Sequence, residues 1–113
     1  MQYIKINREE SRPAVIAAIA SSLLKGEIAV LPTDTIYGFS CAAASRQAIR
    51  RIYRLKGRDE KKPLIILVSS LAMARRYAHI KPGIEAKLAS IWSASSRPTT
   101  VILSGKENLP PEI

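Results

Sequence analysis

Between Pro32 and Gly38 the chain reads Pro-Thr-Asp-Thr-Ile-Tyr-Gly, which gathers the hydroxyls of Thr33, Thr35 and Tyr37 around the Asp34 carboxylate. A compact apolar run, Ile28 to Leu31, precedes it between Gly26 and Pro32. That pattern suits a strand buried on both faces that delivers the chain into a polar loop, the place where open α/β sheets bind ligands. Such a loop can hold a small polar molecule. The plainer alternative is a turn in which Thr33 and Asp34 bond only to nearby backbone, as these residues commonly do.

A second cluster, Lys56, Gly57 and Arg58, sets two cations around a residue that lets backbone approach closely, and Lys61 and Lys62 add to the field. The cluster would receive a polyphosphate, although cations at a helix C-terminus are also favoured by the dipole alone. It is not a Walker loop, because no GxxxxGK[ST] pattern occurs in the chain. Arg46, Arg50 and Arg54 recur every fourth residue, with Arg51 beside them and Arg75 and Arg76 later. This stripe could contact RNA through counterion release, or be the wet face of an amphipathic helix. No aromatic stacking platform accompanies it. Cys41 lies in an apolar stretch and reads as structural, and His79 has no Ser or Cys partner nearby, so a hydrolase triad is a poor reading. Tyr53 and Trp92 read as core residues.

These residues need positioning. Gln2 to Asn7 alternates like a short strand, and Ser11 is placed to cap a helix in which Ile16, Ile19, Ala20 and Leu23 recur until Gly26, with Pro13 in its first turn. Helical spacing returns from Ser45 to Leu55, with Ile49 and Ile52 inward, and Gly57 stops it. Pro63 opens a strand candidate, Leu64 to Val68. Helices follow from about Ser70 to Tyr77 and from Pro82 to Trp92, then a strand from Thr99 to Leu103. Such alternation predicts a layered α/β domain. The final stretch from Ser104, with Pro110 and Pro111 adjacent, has no apolar rhythm and reads as a loop.

At 113 residues one domain is expected. Its 47% apolar and 24% charged residues exclude long disorder and collagen-like or coiled-coil chains. The balance of 18 Lys and Arg against 9 Asp and Glu, net +9, favours phosphate-bearing partners. One cysteine allows no internal disulfide, and one histidine with no cysteine cluster gives no zinc site. With no signal-like N-terminus and no long apolar run, a cytoplasmic protein without membrane partners is expected.

Taken in order, PTDTIYGFSC, the helix ending RLKGR, KPLIILV and PTTVIL resemble successive blocks of the YrdC-like family of threonylcarbamoyl-adenylate synthases, across most of residues 27 to 103. The resemblance implies an α/β fold with a YrdC-like twisted mixed sheet flanked by helices. It implies a nucleotidyltransferase that makes L-threonylcarbamoyl-AMP and pyrophosphate from L-threonine, bicarbonate and ATP with Mg2+ as substrates, and no tightly bound cofactor. That product serves tRNA processing: a separate transferase moves the threonylcarbamoyl group to the adenosine beside the anticodon. Carried over, Thr35 would contact threonine, and Lys56, Arg58, Lys62 and Thr100 would contact ATP, with Lys56 and Arg58 facing the charge developing at its α-phosphate. Arg46, Arg50 and Arg54 are the candidate RNA contacts, to tRNA or other double-stranded RNA.

The sequence departs from the family in places. Leu67 stands where many members have histidine, and Arg97-Pro98-Thr99 replaces Pro-Gly-Pro before a threonine. Family domains also continue through a Ser-x-Asn block that completes the nucleotide site, and none occurs before Ile113. The expectation is therefore an incomplete YrdC-like domain over residues 1–113. The alternative to a synthase is a YrdC-like module that binds tRNA or nucleotide without catalysis.

Overall fold

The computed structural model describes residues 1–5, 13–59, 61–93 and 97–113. It divides into two compact units, Met1–Arg58 and Asp59–Ile113.

In the first unit, α1 spans Pro13–Leu24. Proline is preorganised for a first helical position and the alanines that follow favour the helix. Its end is set by Gly26 at φ 81, whose N–H reaches the Leu23 carbonyl at 3.0 Å. Val15, Ile19, Ser22 and Leu23 form the half-buried face, while Ile16, expected inward, is 55% exposed and Ala20 is exposed too. An almost wholly apolar helix offers several candidate stripes, and packing against β1 selects among them. Met1 to Lys5 form no strand; the rest of that expected strand and the Ser11 cap lie outside the described residues.

The apolar run after Gly26 becomes β1, Ala29–Pro32, paired antiparallel with β2, Tyr37–Ser40. The register sets Val30 opposite Phe39 and Pro32 opposite Tyr37. One face of this hairpin is half-buried. The other leaves Val30 57% and Tyr37 70% exposed, so β1 is not buried on both faces as its composition predicts. A run of apolar residues permits double burial, but a two-stranded sheet supplies only one covered face.

Helix α2, Arg46–Lys56, is the best-specified element of the chain. The Ser45 hydroxyl accepts the Ala48 N–H at 3.3 Å, which satisfies one orphan donor at the N-terminus. Ala48, Ile49, Ile52 and Tyr53 are buried along one face, and the three spaced arginines are exposed on the other.

In the second unit, α3 spans Leu71–Tyr77 and α4 spans Pro82–Ile91. The Ser70 hydroxyl caps α3 by accepting the Met73 N–H at 3.1 Å, and Pro82 occupies the first turn of α4. The two helices pack together, pinned by the Arg75–Glu85 ion pair; Ala74 and Leu88 are their buried residues. The strand candidates Leu64–Val68 and Thr99–Leu103 join no ladder among the described residues. Burial nevertheless alternates through residues 64–68 and 101–103. Leu64, Ile66 and Val68 are half-buried while Ile65 and Leu67 are exposed, and Val101 and Leu103 are half-buried around an exposed Ile102. The side-chain period of two is present, but the hydrogen-bonding partner that makes a strand is not.

The segment after Ser104 is anchored to α3. Ala78 bridges Gly105, the His79 N–H donates to Ser104, and the Lys106 N–H donates to Tyr77, each bond at 2.8 Å. The Asn108 amide reaches the Arg76 carbonyl at 3.0 Å, and the Trp92 indole, only half-buried, donates to the Thr99 carbonyl at 3.0 Å. No helix among the described residues is long and apolar enough to cross a membrane.

Candidate functional site

The motif Pro32 to Gly38 is a hairpin, with residues 33–36 as its loop and Tyr37 and Gly38 already in β2. Thr33 ties the loop together. Its N–H donates to the Ile36 carbonyl at 3.1 Å and its hydroxyl donates to the same oxygen. The hydroxyl oxygen also accepts the N–H groups of Ile36 at 3.3 Å and Thr35 at 3.4 Å. The local-bonding alternative thus describes Thr33, while Thr35, whose hydroxyl takes no part in these bonds, stands exposed at the tip. A threonine at the loop's base fixes the backbone so that another can present its hydroxyl outward.

Lys56 and Arg58 flank Gly57, which caps α2 in the left-handed conformation at φ 54. The Gly57 N–H reaches the Arg54 carbonyl at 3.2 Å and the Arg58 N–H reaches that of Tyr53 at 3.1 Å. Both cations are exposed. The glycine reverses the chain directly behind the Ile52 and Tyr53 anchor, so the two cations emerge from a backbone that is held on both sides.

Lys62 and Thr100 belong to the second unit and are exposed. Lys62 sits in a turn organised by Asp59, whose carbonyl accepts the Lys62 N–H at 3.0 Å and whose carboxylate accepts the Lys61 N–H at 2.9 Å. The organising role of Asp59 was not read from the sequence, although Asp two residues before a backbone donor is a recognisable turn signal. Leu67, at the position often held by histidine, is 67% exposed. Cys41 is half-buried, and burial pushes its thiol pKa up, toward the neutral and unreactive form. Among the described residues no group of three or more His, Cys, Asp and Glu could hold a metal ion.

The first unit thus combines a polar hairpin loop with a cationic helix end. Residues 21–113 match the Sua5/YciO/YrdC family, described as telomere recombination, and the chain belongs to that family. Curated relatives include human threonylcarbamoyl-AMP synthase, 44% identical over 60% of this chain and 24% of its own length. The threonylcarbamoyl-AMP synthase of Hydrogenovibrio crunogenus is 31% identical over 84% of this chain and 52% of its own. Among solved structures, a double-alanine variant of P. abyssi Sua5 superposes with a TM-score of 0.82 at 30% identity, covering 94% of this chain and 32% of that one. The chain thus spans about a quarter to about half the length of these curated relatives.

Proposed function

We propose that the chain carries threonine- and nucleotide-contacting elements of a threonylcarbamoyl-AMP synthase, forming L-threonylcarbamoyl-AMP and pyrophosphate from L-threonine, bicarbonate and ATP for modification of tRNA beside the anticodon. The observation that carries this reading is the Lys56-Gly57-Arg58 cap, in a chain whose relatives bear that enzyme's name.

In this reading Thr35 offers its exposed hydroxyl to the substrate threonine, on a loop that Thr33 holds in shape. Lys56 and Arg58 stabilise charge developing at the α-phosphate, and Lys62 and Thr100 are further nucleotide contacts. Attack at phosphorus depends on positioned cations and donors rather than on a protein nucleophile, which suits a chain whose one thiol is held neutral. Magnesium would arrive with ATP, as part of the substrate.

The test is pyrophosphate release by chain of demonstrated foldedness. Release that requires threonine and bicarbonate together supports the reading; background release from folded protein overturns it for this chain. The net charge of +9 favours a second reading, binding of tRNA or nucleotide without turnover. That reading predicts an affinity that falls steeply with salt, with Arg46, Arg50 and Arg54 among the contacts.

A further inference from the structure

We propose that the second unit contains a separate phosphate-binding cavity, between the end of α3, the 79–81 connection and Lys106, that takes small phosphate esters or the phosphodiesters of a nucleic acid. The cavity has a volume of about 610 Å³ and is lined by Arg75, His79, Ile80, Lys81, Pro82 and Lys106, with Ala78 behind them. It is an open cleft, with Arg75, His79, Lys81 and Pro82 exposed along it, so a ligand there is held from one side. Neither Thr35, Lys56, Arg58, Lys62 nor Thr100 lines it, so it stands independently of the proposed synthase site.

The charge of the lining points to an anion. Arg75 is compensated by Glu85, whereas among the described residues Lys81 and Lys106 have no ion-pair partner and no carboxylate lines the cavity. Lys106 is preset: its ammonium donates to the Arg75 carbonyl at 2.6 Å, which holds the side chain and spends one of three donors. The backbone behind it is held by the Ala78–Gly105 bridge and by the Lys106 N–H on Tyr77. Lys81 forms no ion pair among the described residues, and its side chain does not cap the helix it precedes. His79 adds an imidazole donor. Ile80, Pro82 and Ala78 supply an apolar wall, which suits an ester with a carbon body better than bare inorganic phosphate. Two ammonium groups fix the phosphate, and the wall takes what is attached to it.

The experiment follows backbone amide resonances of the full chain during titration with AMP and, separately, with a short oligoribonucleotide lacking terminal phosphates. Saturating shifts at His79, Ile80, Lys81 and Lys106 are expected. They should persist in Arg58→Ala, and affinity read from them should weaken about tenfold or more in the Lys81→Gln, Lys106→Gln double variant. Glutamine keeps a donor for the Arg75 carbonyl, and unchanged resonances elsewhere establish that the variant is folded. Response to AMP assigns a free phosphate ester, and response to the oligonucleotide alone assigns phosphodiesters. Silence at these residues with both probes, or equal affinity in the double variant, overturns the site. Because the readout is not turnover, it stays separate from success or failure of the synthase reading.

Discussion

The first unit turned its sequence signals into regular structure more completely than the second. Up to Arg58, the helix of Ser45 to Leu55 and the apolar run before Pro32 both form regular elements, and α2 alone buries four side chains. Beyond Asp59, two helices form as their periodicity predicts, yet two equally clear strand signals form no ladder among the described residues. The difference lies in what each element needs. A helix satisfies its backbone within itself and requires only caps and one apolar face, whereas a strand is completed by another strand. An inside-outside alternation of two is a property of an extended chain, and it survives at residues 64–68 and 101–103, which join no ladder among the described residues.

The comparison breaks most readily at its largest predicted effect. Ile52→Ala should cost about 2–5 kcal/mol in urea denaturation, because Ile52 is 2% exposed, and Ile102→Ala should stay within about 0.5 kcal/mol because Ile102 is 97% exposed. Equal costs would mean that the unladdered segment is packed as firmly as α2. If the chain turns over, Arg58→Ala should lower pyrophosphate release by about a hundredfold to a thousandfold, the scale of losing one charge-stabilising donor. An unimpaired rate would remove Arg58 from the proposed site.

Smaller effects sharpen the role of the α2 terminus. Apart from Gly57 and its two chain neighbours, no atom of the described residues lies within 4 Å of where a Gly57 β-carbon would stand, so Gly57→Ala is expected to cost its left-handed backbone, about 1–2 kcal/mol. A neutral result in thermal unfolding would show that the α2 cap can rearrange. Ser45→Ala and Ser70→Ala each remove one side-chain cap and should cost about 1 kcal/mol. A smaller loss at Ser70 than at Ser45, measured by denaturation, would extend the contrast between the units to their helices.

The smallest effect concerns Cys41. A thiol whose folded pKa is raised keeps its proton when the unfolded chain has lost it, so its stability contribution is complete below about pH 8.5 and declines as pH rises through the folded value. Slow labelling by a thiol reagent in native buffer, faster after denaturation, and a flatter alkaline stability profile in Cys41→Ala are the expected outcomes. Rapid native labelling would contradict a protected thiol.

The candidate site was legible unevenly. The Lys56-Gly57-Arg58 cap could be read directly, since a glycine ending a helix and cations in its last turn are local signals. The Pro32 to Gly38 motif was legible as a loop but not as a hairpin, because its partner strand begins inside the motif at Tyr37. The inward face of α1 was misread at Ile16 and Ala20, where apolar residues surround the helix and periodicity alone cannot choose a direction. The cavity of the second unit had no sequence signature: Arg75, His79, Lys81 and Lys106 are scattered over 32 positions.

By itself, the sequence determined the helices, the glycine stops and the motifs that place the chain in its family, all of which depend on residues a few positions apart. Tertiary structure decided which apolar stripe of α1 turns inward, which extended segments pair, and how Lys106 comes beside Arg75. Each of those outcomes depends on a partner distant in the chain, and neither propensity nor spacing encodes where that partner will stand.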